Sequence, residues 1–239
     1  MTGKNELKVL DNMIKIPFFD LFNRKLKNAP QFYKKYAQTF KERKVKNMPL
    51  NALRFVVFDT ETTGLNVRDD RMLSIGAVGI EANVINVRDT YEVFIAQETF
   101  KAETVPVHGI LKHGKFGQIS EEAAVKGFLE FIGSSVLVGH HVGFDIAMVN
   151  YALKRLEAPK LKNKALDTGI LYKKTIHQVN VLNKDKQYSL DELCADLKID
   201  KADRHKAAGD AFITALAFLK IRGRLDVKGQ LTYKHLTRG

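Results

Sequence analysis

The spacing of hydrophobic and polar positions along the 239-residue chain predicts its elements. In RFVVFDTETTGL, residues 54–65, an unbroken run of β-branched and aromatic side chains reads as a strand covered on both faces. Strands are expected at 54–61, 72–80 and 90–96. A helix at 121–132, a strand at 136–139, a helix at 144–156, a short strand near Ala165–Asp167 and helices at 189–198 and 207–221 follow. Three successive strands and then alternating helices and strands imply an α/β fold: a mixed sheet with helices packed on it. Ser189-Leu190-Asp191-Glu192 has capping-box spacing, which assigns Ser189 and Glu192 to helix initiation.

The first fifth of the chain differs in composition. Residues 1–50 hold twelve Lys/Arg against four Asp/Glu, a net of +8 out of a total of +12. Three of the five prolines, Pro17, Pro30 and Pro49, also lie there, and Asn47-Met48-Pro49-Leu50-Asn51 reads as a linker. Three regions result: a basic, helical N-terminal extension at 1–50, a main domain at 51–222 and a short basic C-terminal tail at 223–239. In the extension, Phe32, Tyr33, Tyr36 and Phe40 alternate with lysines at helical spacing. Three uses fit that pattern: stacking on nucleic acid, packing on the domain, or docking to a partner protein.

The basic balance points to a polyanionic partner. No run of 18 apolar residues occurs and the start lacks a signal-peptide core, so a protein outside the membrane and not exported is expected. The single cysteine, Cys194, excludes an internal disulfide, and no Cys/His cluster has zinc spacing; a reducing cytoplasm is the expected setting.

The candidate chemistry lies in carboxylates. Side chains on a strand alternate faces, so Asp59 and Glu61 point the same way, roughly 6.5–7 Å apart along the chain. Left alone, the pair reads as a solvated acidic turn; on a core strand it repels and calls for a cation. Asp145 opens a helix whose same-face neighbours are Met148, Val149 and Ala152, and Asp210 shares a face with Ile213, Thr214 and Ala217. Helix capping is the alternative for Asp145. His205 and Asp210 are five positions apart, so they share a site only with His205 on the loop before the helix. Four inward-facing carboxylates need cations, and an all-oxygen donor set suits Mg²⁺ or Mn²⁺. Paired ions held in this way are apparatus for phosphodiester cleavage, with a neutral histidine nearby to take a proton from water.

The segments FDTETTGL, HHVGFD and HKAAGD, in that order and with VPVHGI between the first two, resemble the three motifs of the DEDDh 3′–5′ exonucleases. The chain is most similar to their DNA polymerase III epsilon (proofreading) group, over about residues 53–221. The resemblance implies a ribonuclease H-like fold with a five-stranded mixed sheet and two divalent metal ions. Asp59 is expected to bridge the ions, Glu61 and Asp210 to complete the tighter site, and Asp145 to hold the second. His205 is expected to be the general base. Thr60, Gly64 and Leu65 would meet the terminal nucleotide, Leu65 as an apolar wedge, and Val107, His108 and Phe144 match the family's nucleotide pocket. Asp167-Thr168 matches a structural support.

One departure is His141, where such proteins usually carry Asn, which leaves the hydrogen bonding there open. The expected activity is removal of nucleotides from single-stranded DNA 3′ ends in proofreading or repair, with a DNA polymerase subunit as partner. RNA trimming or oligonucleotide degradation is the alternative within enzymes; a silent nucleic-acid-binding or polymerase-scaffolding subunit is the alternative outside them, and no metal ligand or histidine is lost in its favour.

Overall fold

The structure, a computed structural model, describes residues 26–40, 45–98, 109–110, 117–176, 186–202 and 204–237. Its strands are β1 (Phe55–Thr62), β2 (Met72–Glu81), β3 (Val84–Ile95), β4 (Gln118–Ile119), β5 (Val136–Gly139) and β6 (Ala165–Asp167). Its helices are α1 (Gln31–Gln38), α2 (Glu121–Ile132), α3 (Gly143–Arg155), α4 (Thr168–Lys173), α5 (Leu190–Leu197), α6 (Ala207–Leu225) and α7 (Tyr233–Thr237).

The strands form one mixed sheet in the order β4-β3-β2-β1-β5-β6. β1 lies at its centre, antiparallel to β2 and parallel to β5. The expected five strands become six because β4 adds two residues in parallel beside Phe94 and Ile95. A pair that short carries no periodicity to read.

Alternation along β1 builds two cores. Phe55 and Val57 join the cluster under α6, where the Phe55 and Phe218 rings lie 5.0 Å apart. Val56 and Phe58 join the cluster under α2 and α3, with the rings of Phe58 and Phe128 at 5.2 Å. Residues 55–58 are all at most 1% exposed, as a strand covered on both faces requires. The same alternation decides from which side each catalytic candidate meets its neighbours.

The capping box at α5 is formed as expected: Ser189 Oγ accepts from the Glu192 N–H, and Glu192 accepts from the Ser189 N–H at 2.8 Å. Helix α6 continues to Leu225, four residues beyond its expected end, and α7 buries Tyr233 and Leu236 in the core beneath α6. No described helix is long and apolar enough to cross a membrane.

Of the three uses open to the basic-aromatic segment, its described part takes packing. Tyr33 is fully buried and its hydroxyl donates to the Lys160 carbonyl at 2.6 Å. The Tyr36 hydroxyl donates to Asn163 Oδ1 and accepts the Lys162 N–H at 2.8 Å. Burial pushes the Tyr33 phenol up to about 12. Two lysines of the main domain cover the edges of the stripe, Lys126 over Phe32 at 5.4 Å and Lys162 over Phe40 at 5.3 Å. Residues 1–25 and 41–44 of the extension lie outside the described residues.

A chain starting at Leu50 is therefore expected to melt several degrees earlier than the full chain, since two buried tyrosines alone contribute about 3 kcal/mol or more. Differential scanning calorimetry checks this. Unchanged melting together with weaker binding of long nucleic acids would instead make the segment a binding arm.

Candidate active site

Asp59 and Glu61 lie on the α6 side of β1 because they share the parity of Phe55 and Val57. Asp59 pairs across the ladder with Gly76 of β2. A Cβ at Gly76 would lie 2.1 Å from the Ala208 backbone nitrogen. That bare glycine lets the first turn of α6 rest directly on the sheet beside Asp59, and Asp210 stands in that turn. Carboxylate oxygens of Asp59, Glu61 and Asp210 accordingly lie within 4.8 Å of one another.

Asp145 comes from the opposite side. Thr60 has the other parity, faces α3, and binds Asp145 Oδ1 twice, through its N–H at 3.0 Å and its hydroxyl at 2.6 Å. Asp145 sits in the first turn of α3 and is 4% exposed. The structure thus brings three of the four carboxylates into one group and ties the fourth, Asp145, to the open edge of β1 beside them through the Thr60 N–H and hydroxyl. Both polar groups of Thr60, expected against the nucleotide, are spent on Asp145.

Burial and crowding raise these acids. Asp59 is pushed well above the carboxylate range by burial first and then by Asp145, Glu61 and Asp210, with Arg204 opposing. Glu61 is raised to about 7 by burial, then by Asp210 and Asp145. Asp145 is raised to about 7 by burial, against its hydrogen bonds from Thr60. The influence of Asp145 on the other two shows that it belongs to the same electrostatic site. Carboxylates this close, two half-buried and Asp210 buried, hold together as anions only beside positive charge, so the donor set fits a divalent cation.

His205 lies outside α6, exposed, with φ +64°, and its backbone N–H donates to Asp210 Oδ2 at 3.1 Å. The loop placement expected for it holds.

A family described as Exonuclease matches residues 56–218. The chain belongs to the exonuclease family. It is 32% identical over 177 residues to the DNA polymerase III subunit epsilon of Aquifex aeolicus, covering 73% of this chain and 83% of that protein. It is 33% identical to the PolC-type DNA polymerase III of Caldanaerobacter subterraneus, also over 73% of the chain but 12% of that much longer protein. Among solved structures, exonuclease X in complex with 5′ overhanging duplex DNA shares the fold at a TM-score of 0.55 and 20% identity, over 78% of this chain and 99% of that one. E. coli exonuclease I in complex with a dT13 oligonucleotide does so at 0.59 and 15%, over 74% of this chain and 42% of that one.

The candidate site is framed by loops whose organisers are themselves acidic. Gly64 and Leu65 follow β1 in a turn wrapped around Asp70. That carboxylate is 2% exposed and accepts from the Thr63 hydroxyl at 2.8 Å and the Asn66 N–H at 2.9 Å. A Cβ at Gly64 would lie 2.5 Å from Asp70 Oδ2, so the glycine is what lets the carboxylate in. Leu65 is left 85% exposed in this turn. Asp70 was not foreseen; its one sequence signal is an acid placed just before a strand.

Across the site, Asp167 Oδ2 accepts the Val142 N–H at 2.9 Å while its Oδ1 caps α4 through Gly169 and Ile170. Asp167 thereby fixes the turn that delivers Phe144, half-buried, and Asp145. His140 and His141 stack with centroids 4.3 Å apart, and His140 Nδ1 meets the Thr168 hydroxyl at 3.0 Å. Burial, with His141, pushes His140 down to about 4, so it is neutral. His141 has φ +55°, a region that Asn and His enter more readily than most residues. That conformation suits His141 as it would suit the Asn expected there. Val107 and His108 of the expected nucleotide pocket lie outside the described residues.

Proposed function

We propose that the protein is a metal-dependent 3′–5′ exonuclease that releases mononucleotides from single-stranded DNA ends. One observation carries the reading: Asp59, Glu61 and Asp210 meet on one face of β1, Asp145 is held at the adjoining strand edge by Thr60, and an exposed histidine stands at the rim. The proposed cofactors are two divalent ions, Mg²⁺ or Mn²⁺, since every donor is a carboxylate oxygen. Asp59, Glu61 and Asp210 would hold one and Asp59 with Asp145 the other. Bound there, such ions supply positive charge against the developing phosphoryl charge and acidify water.

The chain's own residues do the remaining work. His205 takes the proton of the attacking water. Leu65 presses on the terminal base, Gly64 lets the backbone come close to the nucleotide, and Phe144 lines the pocket for it; the family resemblance assigns Val107 and His108 to the same pocket. Thr60 acts by orienting Asp145. DNA as the substrate is supported by the solved exonuclease I and exonuclease X complexes, and a DNA polymerase partner, with a proofreading role, by the epsilon relatives. A cytoplasmic setting belongs to the same reading, in which the buried Cys194 stays a free thiol.

The test is incubation with 5′-labelled single-stranded DNA, RNA and mismatched primer-template, with Mg²⁺, with Mn²⁺ and with EDTA. A ladder shortening from the 3′ end of DNA only in the presence of metal is expected. Preference for RNA would move the protein to RNA trimming, and binding without cleavage to a scaffolding role.

A further inference from the structure

Both oxygens of Asp210 are engaged by the loop just before its own helix. Oδ2 accepts the His205 N–H, and Oδ1 accepts Nη1 of Arg204. The same guanidinium reaches Asp191 Oδ1 in the first turn of α5 through Nε at 3.2 Å. The Arg204 side chain is 18% exposed and that of Asp210 9%, so their charges meet largely out of water, where attraction and repulsion are both strong. Asp210 is also one of the three carboxylates whose oxygens converge within 4.8 Å. A fixed positive charge is thus bonded to one wall of the proposed ion site. Arginine never gives up that charge by deprotonation, so relief comes only from movement. Asp191 supplies the place to move: its side chain is 49% exposed and already holds Nε.

We propose that Arg204 is the built-in counter-ion of this site, clamping Asp210 and the His205 loop together and yielding Oδ1 toward Asp191 when a divalent ion enters. The inference rests on the metal-dependent reading above. Arg204 is a positioning residue here; it touches neither the reacting atoms nor the leaving group. A divalent ion among the three carboxylates is repelled by the guanidinium at short range, so Arg204 weakens ion binding while keeping the acidic cluster folded without it. A plain structural staple between α5 and α6 predicts the reverse, because loosening the loop would spoil the site and weaken ion binding.

Isothermal calorimetry of the full chain with Mn²⁺ alone separates the two. Arg204→Gln is expected to bind Mn²⁺ about tenfold tighter or more than the wild type, and Arg204→Lys, which keeps the charge but loses the planar fork, to fall between them. Equal or weaker binding in the variants overturns the inference. If Arg204→Gln does not fold, Arg204→Lys decides alone: tighter binding supports the clamp and equal or weaker binding removes it. A wild type that takes up no Mn²⁺ removes instead the metal reading on which the inference stands.

Discussion

Asp59→Asn is expected to lower nuclease turnover by several orders of magnitude at saturating metal and, in the same protein without metal, to raise the melting temperature at pH 8. The first effect follows from losing the carboxylate shared by the proposed ion sites, and with it charge stabilisation of the transition state. The second follows from the direction of the pKa shifts. Asp59, Glu61 and Asp145 all titrate higher in the folded protein than in the unfolded chain, the last two at about 7. Groups raised in this way favour folding while protonated. Their contribution is complete below the unfolded carboxylate value of about 4 and is lost as pH climbs through about 7.

Replacing Asp59 by a neutral amide removes one of the charges that crowd the site above that range. Melting in EDTA at pH 5 and pH 8 checks the sign: the gap between variant and wild type should open toward pH 8. Glu61→Gln is expected to behave likewise. Asp210→Asn should lose activity without gaining stability, because it also removes one of the two carboxylates that hold the Arg204 guanidinium. A near-wild-type rate for Asp59→Asn, or a melting gap that is the same at both pH values, would sink the shared-site account.

Most of the scaffold was legible because it obeys strong periodicities. The run at 55–58 is buried on both faces and reads so; α2, β5 and β6 have the expected bounds. Elements without such a signature escaped. The first half of β3, Val84–Asp89, is mostly exposed and has no clean alternation, so it was not separated from a loop. β4 is too short to show a period, and α4 is announced only by its Asp167 cap. At the site, the parity of Asp59 and Glu61 and the inward stripes of Asp145 and Asp210 were readable. That Asp145 would arrive from the opposite face, with Thr60 as its partner, was not, because strand parity gives side-chain direction but not which helix lies on which side. Arg204 was invisible for a related reason: an arginine next to a histidine in a basic chain carries no sequence signal, and only the fold sets its guanidinium against Asp210.

The second large effect concerns His205. Its backbone lies in the left-handed region at φ +64°, and its N–H is bonded to Asp210. Alanine at that position would therefore combine loss of the imidazole with backbone strain passed directly to a metal-ligand candidate. His205→Asn is the cleaner variant, since Asn tolerates this conformation, and a rate loss of roughly 10²–10⁴-fold is expected from removal of general-base help. The pH profile then identifies the cause. A neutral imidazole accepts the proton, so wild-type turnover should fall on the acid side as the ring is protonated, and in His205→Asn that limb should vanish. Glu61 and Asp145, raised to about 7, would also produce an acid limb, but theirs reflects protons competing with metal. Raising the metal concentration should move the carboxylate limb to lower pH and leave the imidazole limb where it is. A profile in His205→Asn that matches the wild type at every metal concentration would remove His205 from the mechanism and leave its backbone N–H, steadying Asp210, as its only contribution.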